Sequence, residues 1–335
     1  MTSSSVPPLF RPATTDDISA ITKITAKADS GLTTVPNTKS GVSDYVAESL
    51  DFLGGKAEAN RLLFVAESEG VILGISGIIP KLGVDRPFYS FKRSRHARKA
   101  SQQDLSVRYD TLQLTTDFDD YTELATIFLS PEARGKGVGR LLSLGRLGFI
   151  HASRDRFEDR LMADIRGWVD DKGVSPFWHH LTSKFIHTEF DEADRLSAGD
   201  AAFLIELLPA LPIMLNLLPE SVSDAAGRPH ELSAGAMGLL VDAGFEDTDL
   251  CDVFDGGPAI RCNTDRTLIT QSAYRATGGG VTDGETKFLH FTGEGTEFRA
   301  AIGPAYPKAE KAGREACEVL GTITPMVALA QNRRG

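Results

Sequence analysis

Two kinds of hydrophobic periodicity alternate along the first third of the chain. The stretch LFRPATTDDISAITKITAKA predicts a strand that ends near Pro12 and a helix that begins after Thr14 or Thr15, because isoleucines then recur at helical spacing. The stretch RLLFVAESEGVILGISGII predicts two strands joined by a turn at Glu69 and Gly70. The first third is therefore expected to run strand, helix and hairpin.

The middle of the chain continues this alternation. The stretch TELATIFLSPE predicts a strand from Leu124 to Leu129, and a glycine-rich connection then leads to a helix from about Val138 to Ser153. A strand in RLMADIRGWVD, a short helix in SPFWHHLTSKF and a helix–strand pair in SAGAMGLLVDAGFEDTDLCDVFDGG are expected next. From about residue 265, short alternating runs rich in glycine and threonine predict a small β-rich region.

The most apolar stretch is AAFLIELLPALPIMLNLLPE at residues 201–220, which Glu206, Pro209 and Pro212 interrupt. A bilayer-spanning helix needs roughly 20 apolar residues without such breaks. We therefore expect buried core here, and a subunit interface is the alternative. The first residues lack a basic region followed by an apolar one, so no signal peptide is expected.

Composition narrows the function classes. An apolar content of 41% and a charged content of 24% are typical of a soluble globular protein, and 335 residues suffice for two domains. The net charge of −10 argues against general nucleic-acid binding, which needs a basic face. The three cysteines form no CxxC pair, which favours a reducing cytoplasm, and no histidine or cysteine cluster has metal-ligand spacing. No metal is therefore expected.

The run FKRSRHARKA at residues 91–100 is the strongest local concentration of charge. Runs of like charge usually lie in solvated segments. We expect a solvated loop or hairpin, with contact to a phosphate as the alternative.

The loop SPEARGKGVGRLL at residues 130–142 places glycines at every second position before a predicted helix. It lacks the lysine and hydroxyl spacing of a P-loop, and it follows a hairpin instead of opening a βαβ unit as a dinucleotide fingerprint does. A connection without a ligand is one alternative. The other is a pyrophosphate site, because glycine allows close approach and a helix N-terminus attracts anions. Arg134 and Arg140 would add charge-assisted contacts.

The pattern R-x-x-G-x-G after a strand resembles the acyl-CoA signature of GNAT-type N-acyltransferases. A larger part of the chain resembles the arginine N-succinyltransferase family. The segments that carry this resemblance are SGLTTVP (30–36), ELATIFLSP (123–131), IRGWVDDKGVSPFW (165–178), AFLIELLPALPI (202–213), GRPH (227–230) and AGFEDTDLCDVFDGGPAIRC (243–262). The resemblance fades in the glycine-rich C-terminal part.

The resemblance implies an α/β fold with a GNAT-like core, whose mixed central sheet is flanked by helices, and a small C-terminal β-rich domain. We expect a leader at 1–9, the acyl-CoA-binding domain at 10–198, a portion completing the active site at 199–264 and the C-terminal domain at 265–335. The implied reaction transfers a succinyl group from succinyl-CoA to the α-amino group of L-arginine. In this fold two central strands diverge beside the glycine loop and hold the acyl-pantetheine arm.

The resemblance also implies roles for individual residues. The co-substrate would contact Ile127, Leu129, Arg134, Gly135, Gly137, Val138, Gly139 and Arg140. The histidine of GRPH, His230, would be the proton donor, and histidine suits this role because its pKa lies near neutrality. His179 and His180 are the rival pair, which we interpret as surface residues.

The remaining expectations concern the two substrates. Arg166 would bind the succinyl carboxylate as a bidentate partner, and a structural ion pair with Asp164 or Asp170 is the alternative. Carboxylates should meet the cationic amine, and the candidates are Glu123, Glu206 and Asp255, although the turn DGGP is equally consistent with a structural role. Thr33 and Thr34 would line the amine pocket.

The segment PALPIML is less polar than expected for the arginine enzymes, so ornithine or another amine is an alternative acceptor. A non-catalytic subunit of a two-subunit acyltransferase is a further alternative. We expect a cytoplasmic protein that binds small molecules, neither nucleic acid nor membrane, and that forms a homo-oligomer or a hetero-oligomer with a paralogue.

Overall fold

The computed structural model describes residues 7–26, 35–56, 58–101, 104–188, 190, 193, 206–281 and 286–330. In chain order, the helices are α1 (Ile18–Thr25), α2 (Lys39–Leu53), α3 (Val138–Ala152), α4 (Pro176–His180), α5 (Glu220–Ala225), α6 (Glu231–Asp242), α7 (Leu268–Ser272) and α8 (Arg314–Leu320). The strands are β1 (Leu9–Pro12), β2 (Leu62–Ser68), β3 (Val71–Ile78), β4 (Ser90–Lys99), β5 (Ser106–Thr115), β6 (Thr122–Glu123), β7 (Ile127–Leu129), β8 (Arg160–Asp164), β9 (Ile213–Met214), β10 (Glu246–Cys251), β11 (Pro258–Asn263), β12 (Tyr274–Arg275), β13 (Gly278–Val281), β14 (Lys287–Thr292), β15 (Arg299–Tyr306), β16 (Lys311–Gly313) and β17 (Met326–Leu329).

The first sheet has the strand order β12-β17-β14-β15-β1-β2-β3-β7, and the small strands β13 and β16 join it beside β15. Phe10 of β1 pairs with Ala300 of β15, so the backbone connects the N-terminal and C-terminal parts of the chain in one sheet. The turn at Glu69 and Gly70 has φ angles of 51° and 77°, and it confirms the predicted hairpin between β2 and β3. The domain boundaries expected at 199 and 265 stay predictions.

The second sheet has the order β6-β8-β11-β10-β4-β5-β9. Its strands β6 and β8 are parallel, whereas the neighbouring pairs are antiparallel. A bridge between Ile79 and Glu123 connects the end of β3 to β6, and therefore one sheet to the other. The mixed α/β fold class expected from the sequence is confirmed, and the basic run at 91–100 is a strand of a hairpin.

Helix α3 packs against the first sheet. Phe149 of this helix contacts the rings of Phe64 and Phe298, with centroids 5.0 and 5.1 Å away. At Gly145, an added Cβ would lie 2.7 Å from the ring of Phe10, so the helix can approach the sheet this closely only with glycine there. The predicted helix is confirmed, and its tight packing fixes the position of the loop that precedes it.

The predicted strand from Leu124 to Leu129 is confirmed only at Ile127–Leu129, which forms β7, because residues 124–126 are not strand and separate β7 from β6. Thr126 has a φ of 40°, a left-handed conformation that cannot continue a strand. The amide of Leu124 donates to the carbonyl oxygen of Met162 at 2.9 Å, whereas Ile127 pairs with Ser76. The two halves of this segment thus belong to different sheets.

The expectation of buried core at 201–220 is correct for only some of the residues. Residues 201–205 lie outside the described part of the chain. Leu208 and Leu215 are buried, but Leu211 and Leu217 are 78% and 79% exposed. Among the described residues, no helix is both long enough and apolar enough to cross a membrane.

Candidate active site

The glycine loop leads directly into the N-terminus of α3. Gly135 and Gly137 have φ angles of 77° and 82°, and a Cβ added at either position would meet no atom within 4 Å. Gly137 is the N-cap of α3, and no described side chain caps this end. The helix therefore presents its first amide N–H groups and the positive end of its dipole to open space, an arrangement that binds anions.

The residues predicted to contact the co-substrate differ in how exposed they are. Val138 is buried, and Gly139 faces β7, where an added Cβ would lie 3.9 Å from the Cδ2 atom of Leu129. Arg134 is exposed, and Arg140 is half-buried. The structure thus places the loop, the helix N-terminus and the strand end beside each other, with Arg134 at the solvent side.

Strands β7 and β8 part beside this loop. The pairing of β6 with β8 continues to the bond between Leu124 and Met162, but β7 then pairs with β3. Strand β8 continues along β11, where Asp164 pairs with Ala259. In the described ladders no hydrogen bond joins β7 to β8, so the edge of Ile127–Leu129 that faces away from β3 has no strand partner.

Three segments meet at the end of β8, namely 164–168, 227–230 and 252–258. Oδ2 of Asp255 accepts a hydrogen bond from the amide of Gly167 at 2.7 Å, and Oδ1 accepts one from the amide of Gly257 at 2.8 Å. The amide of His230 donates to the carbonyl oxygen of Arg166 at 2.7 Å. We call this arrangement the β8 junction. It brings Arg166, His230 and Asp255 together, and the roles expected for them stay predictions.

The glycines of the DGGP turn make this close packing possible. A Cβ added at Gly257 would lie 2.0 Å from the carbonyl oxygen of Ile165. Gly256 has a φ of 72° and lies against the ring of Phe177, which a Cβ would approach to 2.5 Å. The turn is therefore a structural element of the β8 junction, and glycine is required at both positions.

His230 is the N-cap of α6 and is half-buried. Its Nδ1 atom accepts a hydrogen bond from the amide of Leu232 at 3.1 Å, which leaves the proton of the neutral ring on Nε2. Burial lowers the pKa of His230, the charge of Arg166 lowers it further, and Glu231 opposes both. The ring is therefore mainly neutral at pH 7, and its Nε2–H group can donate a hydrogen bond.

Arg166 forms no ion pair with any described acidic side chain, so the structural alternative is not observed. Asp170 instead accepts hydrogen bonds from the amides of Lys172 and Val174, both at 2.9 Å, and closes its own loop. Arg166 is half-buried and lies beside His230, whose pKa its charge lowers. A guanidinium in this position can bind a carboxylate.

Several buried carboxyl groups lie near the same junction. Glu123 is 7% exposed, and burial raises its pKa to about 7 against the opposing charge of Arg146. Burial raises the pKa of Asp164, and the charge of Asp252 raises it further. The Oδ1 atom of Asp164 is out of contact with solvent and accepts no hydrogen bond from a described residue. At this end of β8, burial and mutual repulsion therefore favour the protonated form of these carboxyl groups, and a bound cation would favour their ionised form.

Sequence reasoning missed Asp164, Asp252 and Arg146 as members of the site. Arg146 is 1% exposed on α3, and its Nη1 atom donates to the carbonyl oxygen of Ala125 at 2.8 Å, at the break between β6 and β7. Burial lowers the pKa of Arg146 to about 10, and the charge of Glu123 opposes this. The signal was present, because Arg146 interrupts an otherwise apolar helical face in LLSLGRLGFI.

Other predicted residues are not brought into the site. Glu206 is exposed, and none of its described contacts reaches the β8 junction. Thr33 and Thr34 lie outside the described residues. His179 is exposed at the end of α4, and its ring lies 4.7 Å from that of His180. Within the described ranges, no group of three or more His, Cys, Asp or Glu side chains could hold a metal ion.

Comparison with known proteins identifies the family. A family model described as arginine N-succinyltransferase beta subunit matches residues 8–269. Two Escherichia coli proteins named arginine N-succinyltransferase are each 34% identical over 263 residues, which cover 77% of this chain and 76% of the relative. The solved structure of arginine/ornithine succinyltransferase subunit AI from Pseudomonas aeruginosa has a TM-score of 0.83 and 25% identity, covering 97% of this chain and 99% of that chain. The chain therefore belongs to the arginine N-succinyltransferase family.

Proposed function

We propose that this protein transfers the succinyl group of succinyl-CoA to the α-amino group of L-arginine, giving N2-succinylarginine and CoA. Membership of an acyltransferase family implies an acyl-CoA co-substrate. The observation that carries the proposal is the open N-terminus of α3 beside the parted strands β7 and β8. That arrangement suits a ligand with a pyrophosphate and an extended arm.

On the donor side, the amides of the glycine loop and the start of α3 hold the pyrophosphate, in the segment Arg134–Arg140. The strand edge at Ile127 and Leu129 holds the pantetheine arm through its backbone groups. Arg166 binds the terminal carboxylate of the succinyl group, because its guanidinium has no ion-pair partner among the described residues. A planar guanidinium binds a carboxylate with two parallel hydrogen bonds.

On the acceptor side, the buried carboxyl groups of Glu123 and Asp164 face the cationic amine, whose charge favours their ionised form. Asp255 contributes charge, but both its oxygens accept backbone amides, so its main role is structural. Glu206 is exposed and gains no support as a contact of the amine. Because the pKa of Glu123 is about 7, we assign it as the group that accepts the proton of the α-ammonium.

The reaction then proceeds by direct attack. The free amine forms a bond to the thioester carbonyl carbon, and the bond between that carbon and sulfur breaks. The adduct nitrogen gives its second proton to the departing sulfur, so CoA leaves as the thiol. The neutral ring of His230 donates a hydrogen bond from Nε2–H to that sulfur and keeps its own proton. Glu123 has taken the first proton of the α-ammonium and the sulfur takes the second, which accounts for both protons that the nitrogen loses.

The test of His230 uses asparagine instead of alanine. An asparagine side chain can still accept the hydrogen bond from the Leu232 amide and cap α6, but it cannot donate a hydrogen bond from the position of Nε2. We expect His230→Asn to keep succinyl-CoA affinity in isothermal titration and to lower kcat by roughly 10²-fold or more. His179→Asn, at an exposed histidine, is the matched control. An unchanged kcat in His230→Asn would remove this residue from the mechanism.

The test of Arg166 compares two acyl donors, succinyl-CoA and acetyl-CoA. Arg166→Gln should lower kcat/KM for succinyl-CoA by roughly 10- to 100-fold, since a hydrogen bond to a charged group contributes about 1.5–3 kcal/mol. Its kcat/KM for acetyl-CoA, which has no second carboxylate, should stay within about twofold of the wild-type value. Equal losses for both donors would show that Arg166 does not bind the succinyl carboxylate.

A second candidate is the same transfer to ornithine or another amine. The name of the Pseudomonas aeruginosa relative includes ornithine, and the segment PALPIML is weakly polar here. Steady-state rates with arginine, ornithine and polyamines decide between these acceptors. No turnover of any amine by the purified chain, together with intact succinyl-CoA binding, would favour a non-catalytic subunit. We propose a cytoplasmic location, and no metal has a role in this mechanism.

A further inference from the structure

Two short backbone segments pair at the β8 junction and form a small ladder. Gly167 lies opposite Pro229 in an isolated antiparallel bridge. On one side of this bridge, the amide of Trp168 donates to the carbonyl oxygen of Arg228 at 3.0 Å. On the other side lies the hydrogen bond from the amide of His230 described above. The bridge is therefore the centre of a ladder with a defined register.

This register determines which side chains share a face. Side chains alternate between the two faces of such a ladder, and residues directly opposite each other lie on the same face. One face therefore holds four side chains, those of Arg166, Trp168, Arg228 and His230. Two contacts agree with this arrangement, because the Cζ atom of Arg228 lies 4.2 Å from the centroid of the Trp168 ring, and the charge of Arg166 lowers the pKa of His230.

The guanidinium of Arg228 is oriented but not neutralised. Arg228 is exposed and forms no ion pair with any described residue, whereas Trp168 is half-buried. A guanidinium over an indole ring is attracted to the face of the ring, and its N–H donors remain available to an anion. The contact also restricts the motion of a long side chain. Arg228 can therefore bind a carboxylate at a defined place on this face.

The proposed reaction brings two carboxylates to the β8 junction. One is the end of the succinyl group, for which we propose Arg166. The other is the α-carboxylate of the acceptor, which is bonded to the carbon that carries the attacking amine. It must lie close to the thioester carbonyl and therefore close to His230. Two residues of extended chain span about 7 Å, so Arg228 is within side-chain reach of that position.

We propose that Arg228, held over the ring of Trp168, binds the α-carboxylate of the acceptor amino acid with two parallel hydrogen bonds. Arg228 is then a substrate-binding residue, and Trp168 is a positioning residue that acts through it. This inference rests on the proposed function, because it takes the β8 junction as the site of acyl transfer. It also narrows the class of acceptor, since arginine and ornithine carry an α-carboxylate and polyamines do not.

The test compares L-arginine with L-argininamide, in which a neutral amide replaces the α-carboxylate and the amine and the side chain are kept. Arg228→Gln should lower kcat/KM for L-arginine by roughly 10- to 100-fold, since it removes hydrogen bonds to a charged group. Its kcat/KM for L-argininamide should stay within about twofold of the wild-type value. Arg95→Gln, at an exposed arginine of β4, is the matched control and should change neither value.

The positioning role of Trp168 has its own signature. Trp168→Leu should raise KM for L-arginine by roughly two- to fivefold, because the guanidinium of Arg228 loses its ring contact. It should leave kcat within about twofold, since Trp168 does not touch the reacting atoms. Trp168→Phe keeps an aromatic ring and should restore the wild-type KM. A phenylalanine variant as impaired as the leucine variant would contradict this role.

Isothermal titration of both ligands separates this inference from the proposed reaction. Weaker binding of L-arginine to Arg228→Gln, with unchanged binding of L-argininamide, supports the α-carboxylate contact. The same result with a wild-type protein that turns over no amine would refute the proposed function and leave this contact standing. Equal losses of affinity for both ligands would overturn the inference. A loss of preference for succinyl-CoA over acetyl-CoA in Arg228→Gln would overturn it too, because Arg228 would then bind the donor.

Discussion

Removal of the Asp255 carboxylate distinguishes a structural role of this residue from a role in substrate binding. Its two oxygens accept the amides of Gly167 and Gly257 at 2.7 and 2.8 Å, and Asp255→Ala leaves both amides without these acceptors. A hydrogen bond to a charged group contributes about 1.5–3 kcal/mol. Because the side chain is half-buried, we take the lower value for each bond and expect the free energy of unfolding to fall by about 3 kcal/mol.

Urea unfolding followed by circular dichroism measures this change, with Asp247→Ala as the control at an exposed aspartate of the second sheet. The urea concentration at the midpoint of unfolding should be lower for Asp255→Ala than for the wild type. The slope of the unfolding free energy against urea should stay constant, because the surface exposed on unfolding is unchanged. Turnover should fall with every amine, because the β8 junction also positions Arg166 and His230. The reasoning is refuted if the stability is unchanged and only cationic amines lose kcat/KM, since Asp255 would then bind substrate.

Three further predictions concern other elements. Gly137 has a φ of 82°, which alanine adopts at a cost, so Gly137→Ala should lower the free energy of unfolding by about 1 kcal/mol. The same variant should weaken CoA binding in titration calorimetry. If neither value changes, the glycine loop is not the CoA site. The pKa of Glu123 is about 7 in the folded protein, above its unfolded value, so the free energy of unfolding should fall as pH rises from about 4.5 to 7. Glu123→Gln should remove roughly 3 kcal/mol of that fall, as measured by urea unfolding at each pH. Burial lowers the pKa of His290 to about 4, so the free energy of unfolding should fall as pH drops from about 6.5 to 4. His290→Gln should remove most of that fall in urea unfolding at each pH.

The sequence predicted correctly those elements whose conformation depends on residues close by in the sequence. The turn at Glu69 and Gly70 needs two left-handed residues, and the sequence provides glycine at the second position. Helix α3 follows from apolar spacing, and the left-handed Gly137 marks its start. In these cases the signal and the structure lie within the same few residues.

Other features depend on pairing between distant segments, and no local pattern contains them. The stretch ELATIFL has the composition of one continuous strand, but Leu124 bonds to Met162 and Ile127 pairs with Ser76. Similarly, an apolar sequence predicts burial at Leu211 and Leu217, although both are exposed. Hydrophobicity alone therefore does not decide which apolar residues of a segment are buried.

The break between β6 and β7 connects the two halves of the proposed mechanism. The donor loop belongs to α3 and the first sheet, whereas Arg166 and His230 lie at the end of β8 in the second sheet. Arg146 extends from α3 to this break, where it donates to the carbonyl oxygens of Ala125 and Gly77. A fully buried guanidinium is stable only with partners, and these carbonyls and the charge of Glu123 supply them. Arg146 therefore links the helix that follows the glycine loop to the segment next to Glu123, the carboxylate that we propose as the proton acceptor.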